Sequence, residues 1–267
     1  MNVDAATQPA EVTILGSGTS HGVPMIGCEC PVCRSGDPRD RRTRCSIYVE
    51  SAGQRLLIDT ATELRLQCVA CGISAVDAIL FTHHHADHVS GLDDVRRFNW
   101  LTGRPVRCYG TERTLVRLRK MFRYAFEDDP DSLHSRPALD PVVIGHEPFT
   151  IGDALVTPIP LVHGRTEVLG FRFGAFAYCT DCNEIPPASR ARLAGLEVLV
   201  LDAVRRRPHP AHFHLDQAVE VAREIGARCT YFTHLAHSLP HAEVEAGLPA
   251  GMALAYDGLK IHVPLPP

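Results

Sequence analysis

The segment "FTHHHADHVSG", residues 81–91, sets His83, His84, His85, Asp87 and His88 in six consecutive positions behind an apolar run. Neutral imidazole nitrogens and carboxylate oxygens are the donors that zinc, manganese and iron take from proteins. A lone histidine in a loop is ordinary polar surface, but here further donors recur where later strand-like runs end. His163 follows "TPIPLV", Asp181 closes "AFAYCT" and His234 closes "TYFT". His83, His85, Asp87, His88, His163, Asp181 and His234 exceed the three or four protein ligands that one such ion accepts, so two divalent ions, zinc or manganese, are expected. A cation pair lowers the pKa of a shared water, which points to hydrolysis. His84 has no part in this reading.

A second cluster, Cys28, Cys30 and Cys33, has C-x-C-x2-C spacing on one short turn. Three thiolates and one imidazole would close a tetrahedron around zinc and leave no position for water, which makes such a site structural. The alternative is a redox or chance cysteine turn, because a fourth ligand must come from far along the chain. The pairs Cys68/Cys71 and Cys179/Cys182 read as packing, as do the isolated Cys45, Cys108 and Cys229. No disulfide framework is expected.

Elements must carry these donors to one place. "EVTILGSG" reads as a strand entering a glycine turn, "CSIYVES" and "QRLLIDT" as a hairpin about Ala52 and Gly53, and "VDAILFT" as a buried strand. "TERTLVRLRKMF" has helical spacing, and "EDDPDSLHSRPALDP" reads as a polar loop. Strands follow at "ALVTPIPLVHG", "VLGFRFG", "AFAYCTD" and "EVLVLDA". "LDQAVEVAREIG" is an amphipathic helix stopped by Gly226, "RCTYFTH" is a strand, and "MALAYDGLKIHVP" reads as a closing strand pair. Two strand-rich halves with helices predict two packed sheets in an α/β domain. Donors at carboxyl ends of strands lie where α/β proteins place their ligands.

The 267 residues, 45% hydrophobic, suffice for one domain over residues 11–267 behind a tail at 1–10. Neither a leader nor a membrane span is read, and a cytoplasmic location is expected. A net charge of −4 gives no general attraction to nucleic acid, which is not an expected partner. A homodimer is compatible with the composition. Gly16 and Gly18 complete no nucleotide-binding motif, and they are read as letting the backbone pass close to the metals.

"THHHADH", with His163, Asp181 and His234 following in order, resembles the signature of the metallo-β-lactamase fold superfamily. That resemblance spans nearly the whole chain, from "ILGSGTSHGVP" to "YDGLKIHV". It implies a four-layer αββα sandwich in which one metal takes His83, His85 and His163, the other takes Asp87, His88 and His234, and Asp181 bridges them. Asp59, at the end of "LLID", matches an aspartate behind the site and would support a ligand. Within the superfamily, "GSGTSHGVPMIGCECPVC", "PAHFHLDQA" and "THLAH" resemble the cyclic-phosphate phosphodiesterases of phosphonate breakdown, which open 5-phosphoribosyl 1,2-cyclic phosphate. By that resemblance Cys28, Cys30, Cys33 and His237 hold a structural zinc. His212 matches a histidine beside the leaving group and is read as the general acid, with His209 and His214 as competitors; Asp87 is counted with it among the catalytic residues.

Residues 99–148 are expected to shape access of the substrate. Arg117, Arg119 and Arg123 would face a second phosphate or form a solvated helix face. The rival functions are a transfer-RNA 3′-processing endonuclease, a non-hydrolytic di-iron oxidoreductase and a non-catalytic metal-binding module. The first calls for an RNA-grasping arm and a clustered basic face, and neither is evident.

Overall fold

Leu56 and Ile58 point to one side of their strand and Leu57 to the other, yet all three are wholly buried. Val198 and Val200 against Leu199 and Leu201 repeat the pattern. Strands covered on both faces need a layer on each side, and an uninterrupted apolar run is the sequence cost of that arrangement.

The computed structural model describes residues 9–127 and 135–264. In chain order the strands are β1 (Ala10–Gly16), β2 (Ser46–Ser51), β3 (Gln54–Ile58), β4 (Ala78–Leu80), β5 (Val106–Gly110), β6 (Leu139–Val143) and β7 (Phe149–Ile151). They continue as β8 (Ala154–His163), β9 (Thr166–Phe173), β10 (Phe176–Cys179), β11 (Val198–Asp202), β12 (Cys229–Thr233), β13 (Met252–Leu254) and β14 (Lys260–Val263). One sheet has the order β14-β1-β2-β3-β4-β5-β6 and the other β13-β12-β11-β10-β9-β8-β7. The helices are α1 (Leu64–Cys71), α2 (Ala86–Val89), α3 (Arg96–Thr102), α4 (Glu112–Met121), α5 (Pro187–Ala191), α6 (Leu215–Ile225) and α7 (His241–Ala246).

Val12, Ile47, Leu56 and Leu80 of the first sheet share one apolar cluster with Val156, Phe171, Tyr178 and Val200 of the second. Leu64 of α1, Phe98 of α3 and Leu115 of α4 cover the first sheet's outer face. Ala218 and Val221 of α6 and Val244 of α7 cover that of the second. The result is the expected four-layer αββα sandwich.

Local signals account for much of the punctuation. Ala52 and Gly53 both have positive φ, 47° and 74°, as a two-residue turn between β2 and β3 requires. Thr111 caps α4 by accepting the Thr114 N–H, and Gly226 ends α6 at φ 72°.

Several expectations need correction. The strands in "MALAYDGLKIHVP" are not a pair: β13 joins β12, whereas β14 crosses to β1 in the other sheet. The loop read over "EDDPDSLHSRPALDP" contains the start of β6, where Pro141 is tolerated because β6 is an edge strand paired only with β5. Residues 128–134 of that loop lie outside the described residues, as do residues 1–8 of the tail. Ala10, assigned to the tail, already pairs with Val263 and Ser51. Gly16 and Gly18 serve a different neighbour from the one expected. A Cβ on Gly16 would meet the Arg44 carbonyl oxygen at 1.9 Å, and one on Gly18 would meet that of Arg42 at 2.7 Å. Backbone approach to residues 42–44, not to metals, demands glycine there. Cys229 is half-buried instead of buried, and all ten cysteines are free.

The topology sets the site. β3 to β6 run parallel, as do β10 to β13, and β8 is antiparallel to β9, which is antiparallel to β10. The carboxyl ends of β8, β10, β11 and β12 therefore share one edge of their sheet, and those of β3 and β4 share one edge of theirs.

Candidate metal centre

Asp59, Asp181 and His234 stand directly beyond β3 and close to the ends of β10 and β12, with φ of 63°, 51° and 61°. Left-handed backbone is strained for non-glycine residues, and three cases at donor positions indicate that the fold enforces these orientations. His83 and His85 occupy the turn after β4, Asp87 and His88 lie in α2, and His163 ends β8.

These residues converge as two groups of donor atoms, each lying within 4.8 Å of one another: His83, His85, His163 and Asp181, and Asp87, His88, Asp181 and His234. Asp181 belongs to both. Its Oδ1 is 3.0 Å from His234 Nε2 and 3.2 Å from His88 Nε2, and its Oδ2 is 3.6 Å from His83 Nε2.

In three of the rings, those of His83, His88 and His163, the other nitrogen is already committed. Thr82 Oγ1 donates to Asp59 Oδ2 at 2.7 Å and so accepts from His83 Nδ1 at 2.9 Å. His88 Nδ1 donates to Asp59 Oδ2 at 2.7 Å, and His163 Nδ1 to the Ala211 carbonyl at 2.8 Å. Each bond fixes a tautomer that leaves the Nε2 lone pair facing the cluster. The Nε2 atoms of His83, His88 and His234 are buried without any hydrogen-bond partner. Unsatisfied buried nitrogen is costly, and three of them around one carboxylate fit a site for cations.

Charges follow the same geometry. Burial pushes the His83 imidazole well below its usual range, with the neighbouring His88 adding to it. His88 goes the other way: burial opposes its charge, but Asp181 and Asp59 outweigh it and raise its pKa well above the usual range, so a cation taking Nε2 would displace that proton. Asp181 stays ionised although burial resists it, because His234 and His88 face it. Asp59 is raised by burial against the pull of His88.

Asp202, at the end of β11, was missed as a site residue. It is fully buried, with Oδ1 3.4 Å from His234 Nδ1 and Oδ2 3.4 Å from His212 Nδ1. Burial drives its carboxyl strongly upward, opposed chiefly by His234. The signal was available, since "EVLVLDA" ends in a carboxylate as "LLID" does. His212 is 9% exposed, with its ring centroid 4.7 Å from those of His163 and His234. His209 lies 4.7 Å farther out from His212, and its imidazole is pushed down to about 4, chiefly by burial. His214 sits at the amino end of α6 and His84 lies beside His85; neither enters a donor group.

Some distance along the chain from the pair, Cys28, Cys30, Cys33 and His237 form another four-donor group. The sulfurs of Cys28, Cys30 and Cys33 lie 3.3, 3.4 and 3.8 Å from His237 Nδ1. The Cys33 N–H holds the Cys30 thiol down to about 6, whereas burial pushes Cys33 up to about 11. Arg42, whose side chain is fully buried, donates to the carbonyls of Ala236 at 2.9 Å and Leu239 at 2.6 Å and pairs with Asp40 at 3.2 Å. Asp40 in turn accepts the His241 N–H at 2.8 Å, so the turn carrying His237 is clamped on both sides.

Comparison with known proteins gives consistent relatives. A family profile described as "Beta-lactamase superfamily domain" matches residues 54–235. The solved structure of a diphosphatase from the PhnP family is 46% identical with a TM-score of 0.89, covering 96% of this chain and 98% of that one. An octanoyltransferase of Porphyromonas gingivalis is 38% identical over 251 residues, which are 92% of this chain but 50% of that protein. The chain thus spans about half the length of that relative. A ribonuclease Z of Mycolicibacterium gilvum is 26% identical over 268 residues, covering 86% of this chain and 85% of that protein. No helix among the described residues is long and apolar enough to cross a membrane.

Proposed function

The chain belongs to the beta-lactamase superfamily, and within it to the PhnP family of the 46%-identical diphosphatase, and from that premise we propose that it hydrolyses a small phosphodiester such as 5-phosphoribosyl 1,2-cyclic phosphate. It is a metal-dependent hydrolase. The observation that carries the finer reading is the sharing of Asp181 by two donor groups whose buried Nε2 atoms lack partners.

In this reading His83, His85 and His163 would hold one divalent ion, Asp87, His88 and His234 would hold the other, and Asp181 would be available to both. Such a pair supplies Lewis acidity, lowering the pKa of water and offsetting the phosphodiester's charge. The chain's own residues do the rest. Asp59, through Thr82 and directly, orients His83 and His88. Asp202 lies between His212 and His234 with an oxygen 3.4 Å from the Nδ1 of each, close enough to orient both rings by charge although neither approach is a hydrogen bond. His212 gives its proton to the departing oxygen. Burial favours the neutral His212 ring in the free protein, with Asp181 opposing, and an anionic substrate against the ring adds to the opposing effect and favours the imidazolium that can donate.

Replacing Asp202 by Asn keeps the shape but weakens the acceptor facing both rings. The expected result is a loss of about 10- to 100-fold in kcat/KM, as for other partners that orient metal-bound histidines. A change below twofold in steady-state assays would remove Asp202 from the positioning role.

Cys28, Cys30, Cys33 and His237 are assigned a structural zinc, because four protein donors leave no open position. Cys30→Ser is expected to bind one metal fewer and to lose about 2 kcal/mol, or roughly 4–8 °C in Tm at this length. Its kcat should change much less. Elemental analysis with thermal melting checks this, and an unaltered melt with one metal missing would contradict the structural role.

Ribonuclease Z similarity supports a second reading, transfer-RNA 3′ processing. Assay of bis(p-nitrophenyl) phosphate, ribose cyclic phosphates and a precursor transfer RNA over a salt series separates the two. Cyclic phosphate turnover with little RNA cleavage supports the proposal. Efficient RNA cleavage that falls steeply with salt favours the second reading.

A further inference from the structure

A cavity of about 740 Å³ opens beside His212 and runs towards the turn that carries His237. Thr19, Ser20 and His21 form one wall and Arg205, Arg206 and Arg207 the other. The wall of Thr19 is tied to the metal edge, because the Leu235 N–H donates to the Ser17 carbonyl at 2.8 Å and the Thr19 N–H to the Leu235 carbonyl at 3.2 Å. No carboxylate lines the cavity among the described residues, although the chain carries a net charge of −4. A concave site lined by charge of one sign concentrates ligands of the other sign.

Resting on the phosphodiesterase reading above, we propose that this cleft is a subsite for a second, terminal phosphate on the substrate, with Arg205 and Arg207 as its anion-binding side chains. Arg205 is half-buried, and its Nε and Nη2 donate to the carbonyls of Arg207 at 3.1 Å and Pro208 at 2.8 Å. Those bonds hold the guanidinium in place and leave Nη1 for a ligand. Arg207 is exposed, and while its carbonyl accepts from Arg205, its guanidinium pairs with no side chain or carbonyl among the described residues. Arg206 is drawn towards Glu243, 3.5 Å away. A fixed guanidinium beside a free one suits a terminal phosphate, whose oxygens accept several charge-assisted hydrogen bonds.

The alternatives within the fold are weaker. Arg117 and Arg119 are exposed on α4 and line none of the cavities described here, and Arg123 is paired with Glu127 at 2.6 Å. A cavity of about 750 Å³ beside Arg104 and Arg107 also contains Asp77 and Asp140 and none of the metal donors. The Arg205 cleft is lined by the proposed proton donor His212 itself, which would place a substrate held there beside the reacting centre.

The test compares ribose 1,2-cyclic phosphate with its 5-phosphorylated counterpart. Wild-type enzyme should prefer the phosphorylated compound, and Arg205→Met/Arg207→Met should reduce that preference, as a ratio of kcat/KM values, by about 10- to 100-fold. Arg207→Met alone, which breaks no contact within the protein, should reduce it in the same direction. An unchanged ratio in both variants overturns the subsite. Should wild-type enzyme turn over neither compound, the phosphodiesterase reading fails by itself, and calorimetry on the metal-loaded protein decides the subsite. Ribose 5-phosphate should bind about tenfold more weakly to the double variant, with orthophosphate affected less. Equal binding of ribose 5-phosphate to both proteins, or none to wild type, overturns the proposal.

Discussion

Asp181→Ala is expected to abolish turnover, lowering kcat/KM by about 10⁴-fold or more, while the chain still folds. The magnitude follows from position. Asp181 faces His83, His88 and His234 at once, so its loss removes the acceptor nearest three buried nitrogens and, in the proposed arrangement, would take one ligand from each ion. Metal ions contribute several kcal/mol to stabilising transition-state charge, and each 1.36 kcal/mol is about tenfold in rate. His83→Ala strikes only one donor group and should likewise silence the enzyme, with metal content falling by one. Folding should survive both changes, because neither Asp181 nor His83 belongs to the apolar clusters between and outside the sheets. Circular dichroism, elemental analysis and steady-state kinetics on the same preparations check the expectation. An Asp181→Ala protein with tenfold or smaller loss would break the shared-ligand arrangement.

The second large effect depends on the leaving group. His212→Ala should slow hydrolysis of a phosphodiester that releases an alkoxide by about 10²- to 10⁴-fold, the usual contribution of a placed general acid. With bis(p-nitrophenyl) phosphate the departing phenolate is stable without a proton, so the same variant should lose far less. That contrast separates proton donation from mere support of the site, which would slow both substrates alike. It also separates His212 from His209, whose ring stands one place farther from the metal edge.

The donors were legible because they are polar residues at the ends of apolar runs, a local pattern, and because their spacing matches a known signature. Two packed sheets with helices outside were legible from the order of strand and helix runs, and the four-layer sandwich from the resemblance; strands such as "VLVL", apolar on both faces, agree with it. What sequence did not reveal is long-range. Nothing in "MALAYDGLKIHVP" says that its two strands join different sheets, since both alternate normally and the choice is made by partners more than two hundred residues away for β14. Gly16 and Gly18 were credited to the metals because their true constraint, the backbone of residues 42–44, is visible only after folding. Asp202 ends a strand as Asp59 does, but no matched motif included it, and its partners His212 and His234 are supplied by later segments.

Metal removal and return tests the central claim most directly. Protein purified without added metal, stripped by a chelator and assayed before and after titration with zinc or manganese should lose its hydrolysis of cyclic phosphodiester and regain it as two ions per chain rebind. A third, slower-exchanging ion should remain with the cysteine turn. Full activity in chelated protein shown by elemental analysis to hold no ion at the Asp181 cluster would contradict the account.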